Sequence, residues 1–93
     1  PEGQFGKVLV RNLDYDPYVG RLSLGRLVDG PLKKGSMVTW FSETGEKKVR
    51  ISLLYTWMGL KRHEVEVAQP GDIIALAGIE GITVGDCVVD GPD

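Results

Sequence analysis

The 93 residues include one cysteine, one histidine and 8% aromatics, and no apolar run comes near the ~20 residues of a membrane span. Each shortage closes off a class of function. A single thiol, Cys87, excludes an internal disulfide and suits a reducing compartment, so a cytoplasmic protein is expected. Zinc asks for three or four ligands at short spacings, which His63 and Cys87 cannot supply, so no metal site is expected. They also make a poor base and nucleophile, because Cys87 lies in the apolar run VGDCVV, where a half-buried thiol is the ordinary outcome. The chain shows no initiator Met, basic n-region or apolar h-region, so no signal peptide is read and a piece of a longer protein is expected. Also missing is any stretch that keeps an i, i+3, i+4, i+7 pattern for three helical turns.

What is present is the composition of a single globular domain, 42% hydrophobic and 26% charged. Strand signals run from end to end: Phe5 to Asp14, Val19 to Val28, Met37 to Phe41, Val49 to Trp57, Asp72 to Ala77 and Gly85 to Val89. Between them stand turn signals at Asp16-Pro17, Asp29-Gly30-Pro31, Lys34-Gly35, Thr44-Gly45, Gln69-Pro70-Gly71-Asp72 and Gly85-Asp86. Short strands at this spacing predict one all-β domain over residues 1–93, a six-stranded antiparallel barrel, because closure removes the edges a small sandwich would expose.

The stretch GRLSLGRL, residues 20–27, is a near miss for a phosphate loop. Such a loop needs Lys and a hydroxyl after its second glycine and a helix behind it, so that successive N–H groups face the phosphates. Here Gly25 is followed by Arg26-Leu27 with strand on both sides. Gly20 and Gly25 are better explained as places where a barrel strand bends or another backbone passes close, with Gly35, Gly71 and Gly85 as turn glycines. Asp14 and Asp16 share a strand face and could in principle divide acid and base roles. A strand end running into Asp16-Pro17 is the simpler reading, with the carboxylates capping local N–H groups. No catalytic residue is assigned.

All eleven Lys and Arg fall in residues 1–62, against six carboxylates, while residues 63–93 hold seven carboxylates and no Lys or Arg. The cations cluster at turns: Lys33-Lys34, Lys47-Lys48 with Arg50, and Lys61-Arg62. Such clusters either solubilise hairpins or neutralise the phosphates of a folded RNA with little sequence readout. The large side chains Tyr55, Trp57 and Met58 are candidates for an interdomain patch. A free-standing oligonucleotide- or oligosaccharide-binding barrel is disfavoured, because the aromatics do not interleave with the basic clusters in sequence.

The motif order then resembles a known family. The run VGRLSLGRL-x-x-G-x-LKKG (Val19 to Gly35), AQPGDIIALAGIE (Ala68 to Glu80) and TVGD (Thr83 to Asp86) is similar to the second domain of translational GTPases. NLDYDPYVGR (Asn12 to Arg21) and GLKR-x-EV (Gly59 to Val65) resemble the TypA/BipA branch in particular. Cys87 departs from the Thr usual after Gly-Asp. The resemblance covers nearly the whole chain and implies a Greek-key barrel of the elongation-factor type. It also implies that GTP and Mg are held by a preceding domain of a longer GTPase and that no cofactor sits in this one. The implied partners are the ribosome, through small-subunit rRNA, and neighbouring domains of the same chain, with no membrane or DNA. On that reading Lys33, Lys34, Lys47, Lys48, Arg50, Lys61 and Arg62 are the rRNA-binding candidates.

Overall fold

The computed structural model describes residues 5–90, in which strand follows strand and no helix forms. The strands are β1 (Lys7–Leu9), β2 (Asn12–Asp16), β3 (Gly20–Val28), β4 (Leu32–Lys33), β5 (Met37–Ser42) and β6 (Gly45–Arg50). They continue with β7 (Leu53–Met58), β8 (Lys61–Glu64), β9 (Val67–Ala68), β10 (Ile73–Ala77) and β11 (Cys87–Val89). The main sheet runs β6-β5-β11-β1-β3-β10-β7-β8, with β2 added along β3 and β4–β9 as a separate ribbon. All the pairings are antiparallel.

The sheet curls because its two flanks share Ile51 and Ser52. The Ile51 N–H donates to the Ser36 carbonyl at 3.0 Å, the Gly35 N–H donates to the Ile51 carbonyl at 2.9 Å, and the Ser52 N–H donates to the Ala77 carbonyl at 2.9 Å. The β4–β9 ribbon covers the gap beside β7, where the Val65 N–H reaches the Leu54 carbonyl. Alternation then sends one face of the central strands, such as β1, β3, β5, β7, β10 and β11, inward. Val8, Leu27, Leu32, Val38, Ile51, Leu54, Ile74, Leu76 and Val88 fill the interior and are almost fully buried. At about 1.5–3 kcal/mol for each large apolar side chain removed from water, this cluster supplies the main drive to fold.

The antiparallel all-β barrel is therefore found, cut into more pieces than the six expected strands. The stretch from Phe5 to Asp14 breaks at Val10, which trades strand partners: its N–H goes to Asp86 and its carbonyl accepts from Gly85, while Arg11 turns to Leu24. The expected strand from Val49 to Trp57 breaks at Ile51–Ser52, the closure point. β8 carries no apolar alternation, since all four of its residues are exposed, and it forms as the outer arm of a hairpin on β7.

β3 is the hub, pairing with β1, β2 and β10. Gly25 lies where β3 passes from β2 to β1, and a Cβ there would run into the Leu9 carbonyl oxygen and stand 2.8 Å from Val8 Cγ1. Glycine is thus required by close backbone approach. Gly20 serves differently: at φ 99° it adopts a conformation that L side chains avoid, in open space at the end of the β2–β3 turn. Gly35, Gly71 and Gly85 also lie at positive φ in turns. At the ends of the described chain, the Asp90 N–H donates to the Gly6 carbonyl at 2.8 Å, which sets entry and exit side by side.

Candidate nucleic-acid interface

The basic clusters fall on two separate parts of the barrel. On β6 the sequence GEKKVR leaves all but Val49 exposed, because this strand pairs with β5 alone and turns its charged side chains to solvent. Lys48 stands opposite Thr39, and Arg50 opposite Met37. Arg50 Nη1 donates to the Gly35 carbonyl at 2.9 Å, so the β6 cations adjoin the turn that follows Lys33-Lys34. Lys33 is exposed on β4 and its charge reaches Asp90, whose carboxyl is pushed up chiefly by burial and partly held back by that lysine. Lys34 is already engaged: its Nζ lies 3.0 Å from Glu64 Oε2 and 3.5 Å from Glu66 Oε2. The hydrogen bond to Glu64, followed by the charges of both glutamates, raises its pKa above the ordinary lysine value.

The second cluster is on the β7–β8 hairpin. Lys61 is exposed at the start of β8, whereas Arg62 is clamped. Its Nη2 donates to Asp16 Oδ2 at 2.6 Å, and its guanidinium carbon sits 4.5 Å from the centre of the Tyr55 ring. The other oxygen of Asp16 accepts the N–H groups of Tyr18 at 2.7 Å and Val19 at 3.1 Å. The Arg62 hydrogen bond, then the Tyr18 N–H, lower the Asp16 pKa, and the same bond raises that of Arg62. One carboxylate thus ties the β2–β3 turn to the β7–β8 hairpin across 46 positions of sequence.

This clamp corrects one expectation. Tyr55 is 7% exposed, packed with Leu22, Ala75 and Ala77 under the Arg62 guanidinium, so it offers nothing to a neighbouring domain. Trp57 is half-buried beside that cluster, and Met58 is exposed at the hairpin end. Sequence reasoning passed over Tyr18 and Leu60, which are 96% and 100% exposed at the tips of the two clamped turns. The signal available was Tyr18 directly after Asp16-Pro17, a turn whose outer residue must face solvent.

The linear segregation of charge is not kept in space. Lys34 meets Glu64 and Glu66, which brings a cation of the first part of the chain against carboxylates of the last. An open cleft of about 630 Å³ lies between Trp40–Thr44 and Gly81–Cys87. Its buried carboxylate, Asp86, is occupied by Trp40 Nε1 at 2.9 Å and the Thr83 N–H at 3.1 Å, which makes it a loop staple. Burial raises the Cys87 thiol pKa, consistent with an unreactive position. Among the described residues no cluster of His, Cys, Asp and Glu could hold a metal ion, and no helix is long and apolar enough to cross a membrane.

Residues 6–91 match the family described as elongation factor G domain 2. The chain belongs to that family. A "Large ribosomal subunit assembly factor BipA" from Bacillus subtilis (strain 168) is 42% identical over 84 residues, covering 87% of this chain and 14% of that protein. The protein of the same name from Haemophilus influenzae is 34% identical over 82 residues, covering 87% of this chain and 13% of its own length. An elongation factor G from Ruegeria pomeroyi is 41% identical over 78 residues, or 84% of this chain and 11% of that one. This elongation factor G domain 2 chain therefore spans about one seventh of the length of its BipA relatives. In fold it is similar to a crystal structure of GDP-bound aIF5B from Aeropyrum pernix, with TM-score 0.79 over 97% of this chain, 17% of that chain and 16% identity.

Proposed function

We propose that this barrel is the ribosome-docking and positioning module of a BipA-like translational GTPase, holding small-subunit rRNA by its backbone. The observation that carries the reading is the exposed cationic edge of β6, Lys47, Lys48 and Arg50, joined to the Lys33 turn through the Arg50–Gly35 hydrogen bond. Side chains of this kind neutralise phosphates without reading sequence, which suits a folded RNA of fixed shape. Names of relatives that refer to ribosomal assembly support a ribosomal partner. On this proposal the protein is cytoplasmic, GTP and Mg are bound by another domain of the full chain, and this domain needs no cofactor of its own.

Binding of the full-length protein to purified small and large ribosomal subunits, followed as a function of salt, tests the proposal. Replacing Lys33, Lys47, Lys48 and Arg50 together by Ala should weaken small-subunit binding and flatten the log–log salt slope by about 3 to 4. An unchanged affinity and slope rejects this edge as the rRNA contact.

A second reading, that the barrel couples its neighbouring domains mechanically, is favoured by a different surface. On the outward face of β1, β11 and β5, Leu9, Cys87 and Phe41 stand in one cross-strand row, with Val28 and Met37 nearby on the same side. Leu9 and Phe41 are 47% and 40% exposed at the two ends of that row, an apolar strip of the sort that marks an interface, while Val28 and Met37, 42% and 47% exposed, lie beyond Lys7 and Thr39 on the same face.

A further inference from the structure

Independently of the rRNA reading, we infer that the cleft between the end of β5 and the 81–87 loop binds an arginine of an extended, basic protein segment. Its lining combines aromatic and acidic groups: Trp40 and Phe41, the carboxylates of Glu43 and Asp86, and the hydroxyls of Ser42 and Thr83. Among the described residues no Lys or Arg lines it. The adjoining hollow of about 290 Å³, which shares Trp40, Ser42 and Thr44 with it, holds Glu46 and Lys47. Together the two carry three carboxylates against one lysine, so a phosphate chain is repelled and a cation is favoured. At about 630 Å³ the cleft has room for a guanidinium and the residues on either side of it.

Asp86 decides the chemistry. It is 5% exposed, and its backbone is fixed on both sides, the N–H donating to the Thr83 carbonyl and the carbonyl accepting from the Val10 N–H. Both side-chain donors, Trp40 Nε1 and the Thr83 N–H, meet the same oxygen, Oδ2. Oδ1 accepts no hydrogen bond from the described residues, on a carboxylate that lines the cleft. An occupant that excludes solvent from this oxygen must bring a donor in its place. A guanidinium does so and fits better than an ammonium. Its planar fork bonds a carboxylate, its flat face lies on an aromatic ring, and it sheds water more easily. Glu43, exposed in the β5–β6 turn, adds a charge at the rim that attracts it.

In the full-length protein Cys87 serves as the local reporter, since it lines the cleft and is half-buried. Its alkylation by iodoacetamide at alkaline pH is followed by mass spectrometry of the peptide that contains it. The probes are acetyl-Gly-Arg-Gly-amide, the same peptide with citrulline for arginine, and a single-stranded RNA oligonucleotide. The arginine peptide should slow alkylation, with half-protection at about millimolar concentration, the scale of one side chain without the rest of its segment. Citrulline, equal in shape but uncharged, should bind roughly 10- to 100-fold more weakly, and RNA should not protect. Asp86→Asn keeps the staple by turning its amide oxygen to Trp40 and Thr83, which leaves the amide nitrogen on the cleft side. It should abolish protection at an unchanged melting temperature; where that temperature falls, Glu43→Gln alone decides. Glu43→Gln, at an exposed turn, should weaken protection about two- to five-fold. Equal protection by the citrulline peptide, or none by the arginine peptide, overturns the cation assignment. Undiminished protection in both variants overturns the assignment to these carboxylates, and protection by RNA overturns the choice of a protein occupant.

Discussion

Gly25 and Gly20 are the same residue type meeting different demands, and the difference is measurable. At Gly25 a methyl group has no room, because the obstacle is the Leu9 backbone, which cannot rotate away. Gly25→Ala should therefore cost about 3 kcal/mol, the upper end of overpacking, in chemical denaturation. At Gly20 nothing lies within 4 Å, so only the left-handed backbone resists, and Gly20→Ala should cost about 1 kcal/mol. Asp16 makes a second test at this scale. Its pKa is depressed, so its contribution is complete above the ordinary aspartate pKa and fades as pH falls through the lowered value. In Arg62→Gln the carboxyl should titrate nearer the ordinary range by NMR. The stability gap between wild type and that variant should stay constant above the ordinary pKa and close as the solution is acidified below it.

Among the elements, β8 depends most on contacts outside the sheet. It pairs with β7 alone, and what fixes it otherwise is Arg62 on Asp16 and Glu64 on Lys34. Asp16→Asn should make the β8 amides exchange with solvent about two- to five-fold faster, the scale of an exposed ion pair, while β3 and β10 amides are unaffected. β8 also shows where the sequence stops being readable. Buried strands such as β10, IIALA, announce themselves by apolar density, and the turn glycines mark the ends of hairpins. An exposed outer strand like KRHE carries neither signal and exists because β7 offers it a template. The breaks at Val10 and Ile51 were equally hidden, since both residues are apolar and buried. What interrupts the strand there is a change of hydrogen-bond partner set by distant segments. Of the candidate site, the cations were visible as clusters. Which of them are occupied was not, because Lys34 and Arg62 find their carboxylates 30 and 46 residues away.

At the scale of the molecule, the barrel presents surfaces of different character: a cationic edge along β6, clamped turns tipped by Tyr18 and Leu60, and an apolar strip over Leu9, Cys87 and Phe41. Docking and coupling can be separated because they would use different ones. In the full-length protein, Leu9→Ser with Phe41→Ser should leave ribosome affinity within about two-fold, since exposed apolar contacts with neighbouring domains contribute nothing to phosphate neutralisation. If the barrel also couples its neighbours, the same variant should lose most of the ribosome-stimulated GTP hydrolysis, read as a turnover rate. Retained stimulation would assign the strip no part in coupling.

The hydrogen bond from Asp90 to Gly6 gives the barrel the geometry of a bead hung from one point on a string. Because the chain comes in along β1 and goes out along β11, next to each other, any polypeptide attached at either side leaves from the same spot. The barrel could then swing as a unit about that spot, with every one of its own hydrogen bonds intact. Its angle to whatever it is joined to would be decided by the surfaces it rests on rather than by its own sheet.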